Sequence, residues 1–171
     1  MKRNILTAIA VIASAGALAQ GTLNLSTTPA AIGSTQKVFE ADGVTPLSGA
    51  NGYSAILFVG PAEGSLAAVG SAPGTQLFKT GAGAGYWSDA APGVAANIGL
   101  SSDGFGQLVV LKDGAEAGRS AIFALRTGGG GSPPDVPGNL TNFKSFSLIP
   151  EPSTIALGLL GAASLLFFRR K

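Results

Sequence analysis

Apolar positions follow three regimes along this chain. They run almost continuously from Ile5 to Ala13 and again from Ile155 to Phe168, whereas between Gln20 and Ile149 they come in short clusters separated by turn residues. Seven clusters of the middle region have the length and the β-branched or aromatic content of strands: Thr22–Ser26, Lys37–Glu40, Tyr53–Val59, Gln76–Lys79, Leu108–Lys112, Ser120–Arg126 and Asn142–Leu148. Alternation is clearest in the first, where Leu23 and Leu25 share a face, and in the last, where Phe143 and Leu148 bracket Phe146. Ala55 to Val59 is apolar on both faces, the pattern of a central strand. The pattern predicts an all-β fold, a single β-sandwich-like domain over residues 20–149.

Two windows, Ser65–Val69 and Ala90–Leu100, leave room for a helical turn, although neither has the length or the caps of a stable helix. Gly128 to Gly131, followed by Ser132, Pro133, Pro134 and Pro137, predicts a surface loop ahead of a closing strand. Three Asp-Gly pairs begin at Asp42, Asp103 and Asp113. A calcium loop needs carboxylates at alternate positions, and here each Asp stands alone. Both residues tolerate positive φ, so the pairs predict tight turns instead.

The two flanking apolar stretches read differently. Lys2 and Arg3, the apolar run from Ile5 to Ala13, and Ala17-Leu18-Ala19 ahead of Gln20 form the three parts of a secretory signal peptide, residues 1–19, with cleavage between Ala19 and Gln20. Ile155 to Phe168 spans fourteen residues, or roughly 21 Å of helix, against a bilayer core of about 30 Å. It predicts a short transmembrane helix that spans only with local thinning or snorkelling. Gly158 and Gly161 would let another helix approach closely. Arg169, Arg170 and Lys171 would hold the far end on the cytoplasmic side. Ahead of the helix, Pro150 and Pro152 flank Glu151 and keep the backbone extended, presenting it to a partner.

Composition sharpens this picture. The whole chain carries a formal net charge of +2, but five of its eleven basic residues lie in the flanking segments. Between Gln20 and Ile149 six basic residues face eight acidic ones, a net charge of −2. No cationic run is left there, so nucleic-acid binding has no electrostatic support. The chain has neither Cys nor His. That removes a disulfide framework, thiolate and imidazole metal sites, and Cys-His or Ser-His-Asp catalysis. No cofactor is expected.

Two further groups attract attention. Tyr86 and the single Trp, Trp87, sit in a Gly-rich stretch and could stack on a sugar ring; adjacent strand residues face opposite ways, so one of them could be core and the other exposed, and a lone Trp is more often a core or half-buried packing residue. Asp113 and Glu116 are close in sequence, as a hydrolytic carboxylate pair would need to be in space, but they fall in a charged, Gly-rich segment where solvation is the expected role.

The order Pro150-Glu151-Pro152, short apolar helix, Arg169-Arg170-Lys171 resembles the PEP-CTERM sorting signal of Gram-negative bacteria, here residues 150–171. The opening Ala-Gln-Gly-Thr, the segment Glu40 to Gly49 and the late Gly-rich, Ser-Pro-Pro loop look like small surface proteins of that class of verrucomicrobial type. The resemblance implies export across the inner membrane, transient anchoring by the C-terminal helix, and processing by signal peptidase and an exosortase-type membrane enzyme. It also implies delivery to the envelope, outer surface or matrix in association with exopolysaccharide. It supplies no catalytic residue, because catalysis belongs to the processing enzyme. The reading is a non-enzymatic structural or adhesive protein. A carbohydrate-binding module using Tyr86 or Trp87 is the alternative, and a glycoside hydrolase a third.

Overall fold

The computed structural model describes residues 20–149, apart from Ser34 and residues 73–75, 91–92 and 96–97. In chain order the elements are β1 (Gly21–Leu23), a short helix α1 (Pro29–Ile32), β2 (Val38–Phe39), β3 (Tyr53–Gly60), β4 (Ala67–Val69), β5 (Gly93–Ala95), β6 (Asp103–Lys112), β7 (Ala115–Arg119), β8 (Phe123–Arg126) and β9 (Phe146–Ser147). The fold is predominantly β, as the apolar pattern predicts.

β3 is the strand around which the others are arranged. It pairs antiparallel with β6 from Tyr53↔Lys112 to Gly60↔Phe105, and with β4 on its other edge. The far edge of β6 is divided. β7 takes its C-terminal half and β8 its N-terminal half, both antiparallel. Between them the ladder is carried by Ser120, whose N–H donates to Leu108 O (2.9 Å) and whose Oγ accepts from Leu108 N–H (3.0 Å). Two short pairs complete the body: β1 antiparallel to β5, and β2 parallel to β9.

Side-chain alternation explains the continuous apolar run of β3. Tyr53, Ala55, Leu57 and Val59 join Leu108 and Val110 in the main core, which also takes Leu23, Leu25, Val38, Trp87, Phe143 and Leu148. Ile56 belongs to a second cluster with Val109 and Leu111, against which Phe58 packs. Each Leu- or Val-sized side chain so buried contributes about 1.5–3 kcal/mol. Phe143 ties the closing segment to β8, edge-on to Phe123 at 5.7 Å and to Phe146 at 6.2 Å.

Several elements differ from the sequence expectation. Neither candidate helical window holds a helix among its described residues. Ser65–Val69 contains β4, and Ala90–Leu100 contains β5, whose backbone pairs with β1 through Thr22↔Val94. Gln76–Lys79 contracts to isolated bridges at Leu77 and Phe78. β6 begins five residues earlier than expected, at Asp103 instead of Leu108, so Asp103-Gly104 opens a strand and is not a turn. Its glycines serve packing: a Cβ on Gly104 would lie 2.6 Å from Ile98 Cδ1, and one on Gly106 2.7 Å from Leu125 Cδ2. β7 and α1 were not foreseen; α1 starts on Pro29 and stops at Gly33, which has φ +69°. Among the described residues no helix is long and apolar enough to cross a membrane. The stretch Ile155–Phe168, expected to form one, lies outside the described residues.

Candidate functional site

Tyr86 and Trp87 follow the tight turn Gly81–Gly83, and Tyr86 N–H donates to Gly83 O. Trp87 is then clamped between two segments. Its backbone N–H donates to Thr27 Oγ1 (2.8 Å), its carbonyl accepts from Thr27 N–H (2.8 Å), and its indole Nε1–H donates to Gln76 O (3.2 Å). The ring is 0% exposed. Tyr86 is 9% exposed, with Lys37 Nζ over its ring at 5.0 Å from the centroid. The expected division into one buried and one exposed ring is therefore not what is found. Both are packed away, because Trp87 bridges to Phe78 while the Lys37 side chain covers Tyr86. In this arrangement neither ring offers a face on which a sugar could stack.

The Asp-Gly pairs divide by role. Asp113 and Gly114 have φ of +51° and +85° and connect Lys112 to Ala115 in a two-residue hairpin, the backbone that a primed turn requires. Asp42 organises a different turn. Its Oδ1 accepts from the backbone N–H of Val44 and Thr45, both at 2.9 Å, while Oδ2 accepts from the Thr45 hydroxyl. These bonds to the Thr45 side chain and the two amides hold the Asp42 carboxyl below the usual aspartate range. Asp89 is likewise occupied, accepting from Ser71 N–H (2.6 Å) and Ser71 Oγ (2.9 Å). Among the described residues no three acidic side chains gather into a metal-holding group.

Glu116 lies not in a loop but in β7, apart from Asp113 in the turn. A register shift opposite Val110 and Leu111 sets Glu116 against Leu111 and Arg119 against Val109. Residues three apart in a regular strand face opposite ways; the bulge turns these two to the same face. Arg119 Nε (2.9 Å) and one terminal nitrogen (2.7 Å) both donate to Glu116 Oε1. With Gln107, Phe58, Glu63 and Leu66, this pair lines an open trough of about 320 Å³ on the outer face of the sheet. Sequence reasoning missed it, because nothing in Ala115–Arg119 signals the bulge.

The flanking signals attach to the body at its edges. Gln20, the residue after the expected cleavage site, is exposed, and β1 starts at the next residue. At the other end Leu148 is buried and donates its N–H to Phe39 O (3.0 Å), whereas Ile149 is 81% exposed. Ala17 and Ala19 lie outside the described residues, as do Pro150, Glu151, Pro152, Ile155, Gly158, Gly161, Phe168, Arg169, Arg170 and Lys171.

No curated protein and no solved structure matches the chain. Residues 148–171 match the family model of the PEP-CTERM protein-sorting motif. That motif implies export, processing by exosortase, a membrane enzyme, and a place at the cell envelope or surface. Over residues 148–171, then, the chain carries a PEP-CTERM sorting motif, the feature in which it is similar to PEP-CTERM sorting-domain proteins.

Proposed function

We propose that this protein is a non-enzymatic structural or adhesive component of the cell surface or matrix, associated with exopolysaccharide. Residues 1–19 direct export and are removed by signal peptidase ahead of Gln20. Exosortase then reads Pro150, Glu151 and Pro152 while the helix Ile155–Phe168 holds the sandwich-like body transiently at the membrane and Arg169 to Lys171 fix its orientation. The single observation that carries this reading is the sorting-motif match over residues 148–171. Two features favour a non-catalytic body: the chain has no Cys or His, and the candidate pair is split, Asp113 lying in the hairpin turn while Glu116 lies in β7 bound to Arg119.

The test is a C-terminal peptide map, by mass spectrometry, of protein recovered separately from membranes and from surface matrix. Loss of the 155–171 peptide from the matrix form is the expected result. An intact C-terminus found only in membranes would make the chain a permanently anchored envelope protein. The triple variant Pro150→Ala, Glu151→Ala, Pro152→Ala should accumulate as precursor in membranes, and its unchanged release would remove the recognition role.

A further inference from the structure

We infer that the trough on the outer face of the five-stranded sheet is a saccharide subsite, which takes one sugar ring of a polysaccharide chain. The inference rests on the matrix reading above and gives it a place on the molecule. The trough's floor is apolar: Phe58 packs against the buried cluster of Ile56, Val109 and Leu111, and Val109 also lines the cavity. Its rim is rich in acceptors. Glu63 is exposed on the loop joining β3 to β4. Gln107 donates its amide Nε2–H to Ser120 O (2.9 Å), which fixes the side chain and leaves its Oε1 as an acceptor. Glu116 is held by Arg119 but keeps further lone pairs.

An apolar floor under a rim of fixed acceptors suits a ligand with one hydrocarbon face and donors around its edge. A pyranose ring has both, its axial C–H face for Phe58 and its hydroxyls for Glu63, Gln107 and Glu116. The cavity, about 320 Å³, lies at the lower end of small-molecule sites, the size for one ring of a longer chain and not for a buried oligosaccharide. Glu116 and Arg119 are prearranged by the bulge and by their mutual bonds, so little side-chain freedom is lost on binding.

The experiment titrates cellohexaose, and separately the producer's own exopolysaccharide, into the full chain in detergent micelles by calorimetry. The Glu116→Ala/Arg119→Ala double variant removes both partners and leaves no unpaired charge. Glu63→Gln alters an exposed side chain with no role in the fold. Each should weaken binding about tenfold, the loss of one or two hydrogen bonds to charged groups, with an unchanged melting temperature. Wild-type binding that both variants retain would overturn the trough and leave the matrix reading intact. Failure of the wild type to bind either saccharide, although it co-fractionates with the matrix polysaccharide, would also overturn the trough alone. Failure to bind without co-fractionation would overturn both. Binding of a lysine-rich peptide in place of either saccharide would reassign the acidic rim to a cationic protein partner and overturn the sugar.

Discussion

Asp42 shows how a fully exposed residue still has a measurable structural role. Its carboxylate replaces water with two backbone amides and the Thr45 hydroxyl, and its pKa is lowered as a result. A carboxyl whose folded pKa is depressed contributes stability above its unfolded value, near 3.8, and loses that contribution as pH falls through the folded value. The Asp42 carboxyl should therefore titrate below 3.8 by NMR, and the Val44 and Thr45 amides should lose exchange protection through the same transition. A midpoint at or above the ordinary aspartate value would contradict the turn geometry. Trp87 makes the opposite case. A packing role is what a single Trp suggests from sequence; the clamp that buries it is not legible there, since it depends on Thr27 sixty residues away. Trp87→Ala should cost about 3–5 kcal/mol, seen as a lower urea midpoint by circular dichroism. A variant of unchanged stability would mean that the ring is not in the core.

At the scale of elements, the strand pattern was readable where side chains carry it and invisible where the backbone does. β3 announces itself by five consecutive apolar residues, and Leu23 with Leu25 by alternation; both pairs of faces are found as read. Apart from one Val each in β4 and β5, these strands and β7 are made of Ala, Gly, Glu and Arg, residues with little strand preference of their own. They are strands because β3, β1 and β6 present unpaired ladders to them. The hairpin turn at Asp113-Gly114 was legible, yet the strand it leads into was not. Between β7 and β8 the ladder rests on Ser120 alone, whose hydroxyl takes the place of a strand carbonyl while its N–H keeps the other bond. Ser120→Ala leaves the buried Leu108 N–H without its acceptor, a loss of about 1–3 kcal/mol. Thermal unfolding of the full chain measures it; a shift no larger than that of an exposed Ser→Ala control would show that the two half-strands do not depend on Ser120.

For the whole molecule, the sign of the charge depends on which segments remain. The full chain carries eleven basic and nine acidic residues, net +2, and its isoelectric point is about 9.2. Removal of residues 1–19 takes away Lys2 and Arg3 and leaves nine of each, net zero. Loss of Arg169, Arg170 and Lys171 then leaves six basic residues against nine acidic ones if Glu151 stays, net −3, or against eight if it goes, net −2. The body gives no reason for these steps to change its fold: the last core residue described, Leu148, precedes the motif's prolines, and Ile149 beyond it is already exposed. Three species should therefore separate by isoelectric focusing, an alkaline precursor, a near-neutral membrane form and an acidic surface form, with the last two equal in melting temperature. A surface form that focuses at the position of the membrane form would have kept its basic stub, and exosortase would then not have released it. A surface form that is acidic but markedly less stable would place part of the body's support in residues 150–171, beyond the closing strand.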